Sequence, residues 1–219
     1  LFGIKSVFAM RIPAAIITVV LIRISYTFTK KLTGNIRYAF ISSLILATSF
    51  FIVFSGRNGQ WDIFTHGFMM AAIYQFYLFF STPEKKYQRM LLAALFFGCS
   101  FMSKGPVSLY ALLLPFIIAY GFVFKFKKGT KSVLPLLLFF IVSLLLSGWW
   151  HIYTYLLDPQ QVIATTTKET TNWTSYNVRP FYYYWSFFIQ SGVWCIPAFI
   201  SLLYPYLKNK VFFKKRYQF

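Results

Sequence analysis

Three polar stretches interrupt the apolar runs of this chain: Gly56-Arg57-Asn58-Gly59-Gln60-Trp61-Asp62, Ser103-Lys104-Gly105-Pro106, and residues 151–180. They hold most of the groups able to do chemistry outside the basic clusters. Lys104 sits at a Gly-Pro break after a short apolar segment (90–102), and an ammonium at membrane depth costs about 2.5–3.5 kcal/mol even on lenient insertion scales. It therefore calls for an anionic partner. With Arg57 and Arg179, also beside apolar segments, it makes a set of cations able to hold a phosphate or pyrophosphate, the arginines bidentately. Each of the three serves equally well as an interfacial anchor, the ordinary role of loop Lys and Arg. Asp62, one of only four carboxylates, can be a base, an acid or a metal ligand. His66 shares its helical face if a helix opens at Trp61, which makes the two a candidate metal-ligand pair. Two ligands do not complete a site, and Asp62 can instead cap the helix or pair with Arg57. Glu169 reads as a solvated residue and Asp158, before Pro159, as a turn residue. Asn172-Trp173-Thr174 fits the glycosylation acceptor pattern, a three-residue match of low specificity. The aromatics crowded between Trp149 and Trp185, Tyr182 among them, read as an interfacial belt, although a sugar- or lipid-binding surface uses the same residue types.

The elements that must position these groups are membrane helices. The chain is 58% hydrophobic and 23% aromatic, with apolar runs long enough to span a bilayer. Its net charge of +18 would suggest nucleic acid in a soluble protein, but the basic residues lie in short clusters between apolar runs, which is a topology signal and speaks against a nucleic-acid partner. Those clusters are Lys30, Lys31 and Arg37; Lys85, Lys86 and Arg89; residues 125–131; and residues 208–216. The positive-inside rule puts all four on the cytoplasmic side. Because one helix crosses in about 20 residues, each longer interval between clusters must go out and back. The turns then fall at 56–62, at 103–106, and in a long outer loop (151–180) between the last two spans.

Seven spans are expected, the first running inward, with Arg23 snorkelling toward the headgroups. That pattern implies a further span before Leu1, and the chain reads as a piece of a longer protein forming a single membrane domain over 1–219. Cys99 and Cys195 both lie in apolar segments and read as packing residues. The expected fold is an all-α polytopic transmembrane bundle with the three polar stretches on one side.

Ala9-Met10-Arg11-Ile12-Pro13, Lys30-Lys31-Leu32-Thr33-Gly34, Arg57 with Asp62, Ser103-Lys104-Gly105-Pro106-Val107, and Arg179-Pro180-Phe181-Tyr182-Tyr183-Tyr184 follow one another in an order that resembles the membrane glycosyltransferases of the GT-C class. The nearest branch holds bacterial lipid A aminoarabinose transferases and relatives of the protein O-mannosyltransferases. The Ser-Lys-Gly-Pro-Val stretch is the most specific match. The resemblance implies transfer of a sugar from a polyprenyl-phosphate donor to a lipid or protein acceptor, at the outer face of the cytoplasmic (inner) membrane. It implies donor binding by Lys104 and Arg57, with Arg179 and Tyr182 contributing, and a main catalytic carboxylate in an outer loop upstream of Leu1. Asp62 would match a second outer acid, placed near a divalent metal in some members. Such a reaction needs cations to receive charge on a leaving phosphate more than it needs a general acid. The rival is a transporter or flippase for an anionic lipid or solute, which would gather its polar groups and broken helices near the membrane midplane. A non-catalytic membrane scaffold is a third reading.

Overall fold

The computed structural model describes residues 7–82, 84–124, 133–175, 182 and 192–207, which are helical apart from short turns and contain no strand. Helix α1 (Val7–Thr33) carries Lys30 and Lys31 in its last turn, where cations complement the helix dipole. Gly34, at φ +70°, ends it, and Asn35 starts α2 (Ile36–Thr48) by accepting a hydrogen bond from the Arg37 N–H at 2.8 Å. Helix α3 (Phe50–Asn58) follows after a 56° bend at Ser49. The chain then turns at Gly59 and Gln60 into α4 (Trp61–Ser81). Gly59 is at φ +66°, in the left-handed region that only glycine enters without strain.

Helix α5 (Lys86–Lys104) returns and stops at Gly105, whose φ of 69° and ψ of −152° again exclude a side chain. Pro106 follows, then a π-helical turn (Leu109–Leu113) leading into α6 (Leu114–Phe124). Helices α7 (Val133–Leu157) and α8 (Pro159–Ser175) come next, and a 3-10 turn (Gly192–Trp194) opens α9 (Cys195–Leu207).

Packing runs as a row: α2 and α3 against α1, α1 against α4, α4 against α5, α5 against α7. Glycine sets three of these crossings. A Cβ on Gly56 would stand 2.6 Å from Thr18 Oγ1, one on Gly67 2.6 Å from Ile17 Cγ1, and one on Gly98 2.7 Å from Leu146 Cβ. In lipid, where apolar burial gives helices little reason to associate, such close approach supplies the dispersion contact that holds them. The larger core joins α4 and α5 to α7 through Met69, Phe76, Met90, Phe97 and Phe139. Helix α6 lies over this core, its Tyr120 ring stacked on Phe80 at 5.1 Å and its Phe116 edge-on to Phe28. At the far end of the row, Trp194 donates its indole N–H to Thr48 Oγ1 at 2.6 Å, seating the start of α9 on the α2–α3 bend.

The two ends of the bundle, where the helices begin and stop, differ in chemistry. At one end Tyr77 donates its hydroxyl to the Lys31 carbonyl at 3.0 Å, and the Arg89 guanidinium bonds Leu78 and Thr82. The first two basic clusters therefore share that end. The 59–60 and 105–106 turns share the other.

Among the described residues, three helices are long and apolar enough to cross a membrane, Ala9–Thr33, Trp61–Ser81 and Val133–Leu157, and the bent α2–α3 pair makes a fourth if it is one span. This is fewer than the seven expected. Helix α5 has Lys86, Arg89 and Lys104 at its ends and the Leu109–Phe124 helix is short, so each fills its place in the bundle without meeting the length and hydropathy of a full span. The last expected span is described only from Gly192, apart from Tyr182. In place of an open loop after the α7 span, the chain runs helical through Ser175: Asp158 is a helix cap, its Oδ1 accepting from the Gln161 N–H at 3.0 Å.

Candidate functional site

The polar end of the bundle is organised by an ion pair between Lys104 Nζ and Asp62 Oδ1. It joins the 56–62 stretch to the 103–106 stretch. Asp62 is in the first turn of α4 and Lys104 in the last turn of α5, so each charge lies at the helix end whose dipole favours it. The anion that Lys104 requires is thus found within the chain. Beneath the pair, buried Ser100 on α5 donates to the Thr65 carbonyl at 2.8 Å and exchanges a 2.8 Å hydrogen bond with Ser108, beyond the turn. This fixes α4, α5 and the segment after Pro106 relative to one another. Ser55 donates to Gln60 Oε1 at 3.0 Å, and the Gln60 N–H returns to the Ser55 carbonyl, which closes the turn before Asp62.

Lys104 also borders an open cavity of about 1100 Å³ between the Lys104–Val107 turn, the end of α7 and one face of α8. His151, whose ring stands edge-on to Phe101 at 6.4 Å, lies on its wall, as do Asp158, Gln161, Thr165 and Glu169. The third polar stretch therefore meets the second across this cavity. Trp149, Trp150 and Tyr153 form an exposed cluster, with ring centroids 5.5–6.5 Å apart, at the same end of α7.

The remaining candidates stand as follows. Arg57 is exposed in the last turn of α3 and makes no hydrogen bond or ion pair among the described residues, so Asp62 pairs with Lys104 rather than with it. The helix cap of α4 is Gln60, not Asp62. His66 packs edge-on against Phe51 at 5.9 Å, one turn below Asp62. No group of three or more His, Cys, Asp or Glu side chains able to hold a metal ion exists among the described residues, and with Asp62 engaged by an ammonium the Asp62 and His66 pair does not fit a divalent metal centre. Tyr182 is exposed, and Arg179 lies outside the described residues. His151, Gln161 and Thr165 were not singled out from the sequence. The signal was present in the spacing 158, 161, 165, 169, which puts polar side chains on one face of a helix.

These features define a polytopic α-helical membrane protein with a polar site gathered at one end of its bundle. The chain belongs to the dolichyl-phosphate-mannose-protein mannosyltransferase family, whose profile matches residues 1–152. It is 26% identical over 189 residues to an uncharacterized protein of Aquifex aeolicus (strain VF5), an alignment covering 84% of this chain and 36% of that relative. The chain thus spans about a third of the length of the curated relative it matches. No solved structure matches it.

Proposed function

We propose that the protein to which this chain belongs transfers a sugar from a polyprenyl-phosphate donor to a hydroxyl-bearing lipid or protein acceptor, at the outer face of the cytoplasmic membrane. The observation that carries the reading is Lys104, held by Asp62 at the edge of a large open cavity, within a family named for transfer from a lipid-linked phosphate sugar. In the transfer the acceptor oxygen bonds to the anomeric carbon as the bond from that carbon to the phosphate oxygen breaks. The electron pair leaves with the phosphate, and the hydroxyl proton passes to a base. Lys104 is suited to the leaving group: an ammonium has three N–H donors, and a hydrogen bond to Asp62 leaves others for the phosphate, where charge grows as the bond breaks.

Asp62 acts in this reading as a positioning residue. Its carboxylate is committed to Lys104 and is not assigned the hydroxyl proton. Arg57, Arg179 and Tyr182 are proposed as further donor contacts. The gathering of polar groups at one end of the bundle favours this reading over a transporter, which needs them near the midplane. The test is donor binding by the full-length protein in nanodiscs. Lys104→Met keeps the stem and removes the charge, and should weaken binding of undecaprenyl phosphate by about 1.5–3 kcal/mol, the range for a lost charged hydrogen bond. Unchanged affinity in that variant would remove Lys104 from the donor site.

A further inference from the structure

Helix α8 presents to the cavity Asp158, Gln161, Thr165 and Glu169 on successive turns, with Val162, Thr166 and Thr170 beside them. The stripe is polar but it is not a phosphate site. Asp158 and Glu169 are carboxylates, which repel an anion, and Lys168 of the same helix is not on the cavity wall. Among the described residues lining the cavity, Lys104 is the one Lys or Arg, and it faces α8 from the 103–106 turn.

The hydrogen bonds on the stripe decide what it can still bind. Thr165 already donates its hydroxyl proton to the Gln161 carbonyl at 2.8 Å, so its oxygen is left to accept. Asp158 accepts one bond from the Gln161 N–H through Oδ1, and its other carboxylate oxygen remains an acceptor. Glu169 adds two more acceptor oxygens and the Gln161 amide can both give and take. The stripe of Asp158, Gln161, Thr165 and Glu169 therefore offers more acceptors than donors, beside the aliphatic surfaces of Pro106, Val107, Leu157 and Val162. Its complement is a molecule bearing several O–H donors on a ring with C–H faces.

We infer that the α8 stripe of Gln161, Thr165 and Glu169 is the wall that receives the sugar of the donor, a ring without anionic groups, while Lys104 takes the phosphate to which that sugar is joined. The inference rests on the reading of Lys104 as the phosphate site. It assigns specificity for the sugar to a helix on the opposite side of the cavity from the leaving group. The cavity, at about 1100 Å³, is just above the usual ligand-pocket range of roughly 300–1,000 Å³, which leaves room for an acceptor as well.

The experiment measures binding to the full-length protein in nanodiscs of undecaprenyl phosphate alone and of undecaprenyl phosphate carrying mannose, glucose or galactose. At least one glycosylated form should bind wild type more tightly than the bare phosphate. Gln161→Ala, Thr165→Val and Glu169→Gln together should weaken the best glycosylated form about tenfold and should not weaken the bare phosphate, which the loss of the Glu169 charge can only favour. All three side chains are exposed, so the triple variant should fold, and its undiminished binding of bare phosphate is the internal control. Lys104→Met should weaken both forms. If no sugar improves on the bare phosphate in wild type, or if the triple variant binds the glycosylated donor as wild type does, the sugar wall is overturned. A triple variant that loses only acceptor affinity in steady-state transfer overturns it too, in favour of an acceptor site. Failure of wild type to bind even the bare phosphate would instead overturn the function proposed above.

Discussion

Asp62→Asn separates a charge from a shape. Asn keeps an oxygen that can accept a hydrogen bond from Lys104 but removes the negative charge that holds it. The side chains of the pair are 47% exposed for Lys104 and 23% for Asp62, so the pair belongs with solvent-accessible ion pairs that contribute about 0.2–1 kcal/mol to folding. Loss of stability should therefore stay under about 1 kcal/mol. The effect on transfer should be larger, because a loosened Lys104 forfeits part of a charged hydrogen bond of about 1.5–3 kcal/mol. A fall of about tenfold in kcat/KM for the donor, equivalent to about 1.4 kcal/mol, is expected. Lys104→Met alone should cost about 10- to 150-fold over the same range.

The decisive measurement is the double variant. If Asp62 works by positioning Lys104, adding Asp62→Asn to Lys104→Met changes little further, within the roughly 0.5 kcal/mol by which independent sites scatter. The assay is transfer of labelled sugar by the full-length protein at matched amounts in nanodiscs, with thermal unfolding recorded beside it. Two outcomes would refute the reasoning. Losses that add fully in the double variant would give Asp62 a role independent of Lys104, and near-normal transfer in Asp62→Asn would leave the ion pair a structural contact.

Two further outcomes test the architecture. Gly98→Ala would place a Cβ 2.7 Å from Leu146 Cβ, an atom too close to the α7 backbone to swing aside, and should destabilise the α5–α7 packing by about 1–3 kcal/mol; an unchanged unfolding transition would contradict this crossing. For orientation, single cysteines at the exposed positions Asn58, Lys168 and Glu84 can be probed with an impermeant thiol reagent in intact cells. Asn58→Cys and Lys168→Cys should label and Glu84→Cys should not, and the opposite pattern would invert the proposed topology.

Much of the bundle is legible in the chain itself. Hydropathy declares membrane helices because a lipid-facing helix has to be apolar along its whole length. The glycines at 59 and 105, beside polar residues between apolar runs, mark the turns, since a reversal needs backbone conformations that side chains resist. Lys104 announces itself by the cost of an ammonium beside an apolar segment, and the need for an anionic partner follows from that alone. Which anion answers the need is not local information. Asp62 is 42 residues away, and Arg57, five residues from Asp62, is the nearer partner in sequence; only the α4–α5 packing, with Ser100 bridging Thr65 and Ser108, carries Asp62 to Lys104. The same holds for α8. Glu169, read from the sequence as solvated, joins Gln161 and Thr165 in one wall of a cavity because Asp158 caps a helix and the helix turns one face toward the Lys104 turn. Sequence determines which groups are too costly to leave alone and where the chain must bend. Tertiary structure decides which group relieves which cost, because an ion pair or a cavity wall depends on distances that only the packed helices set.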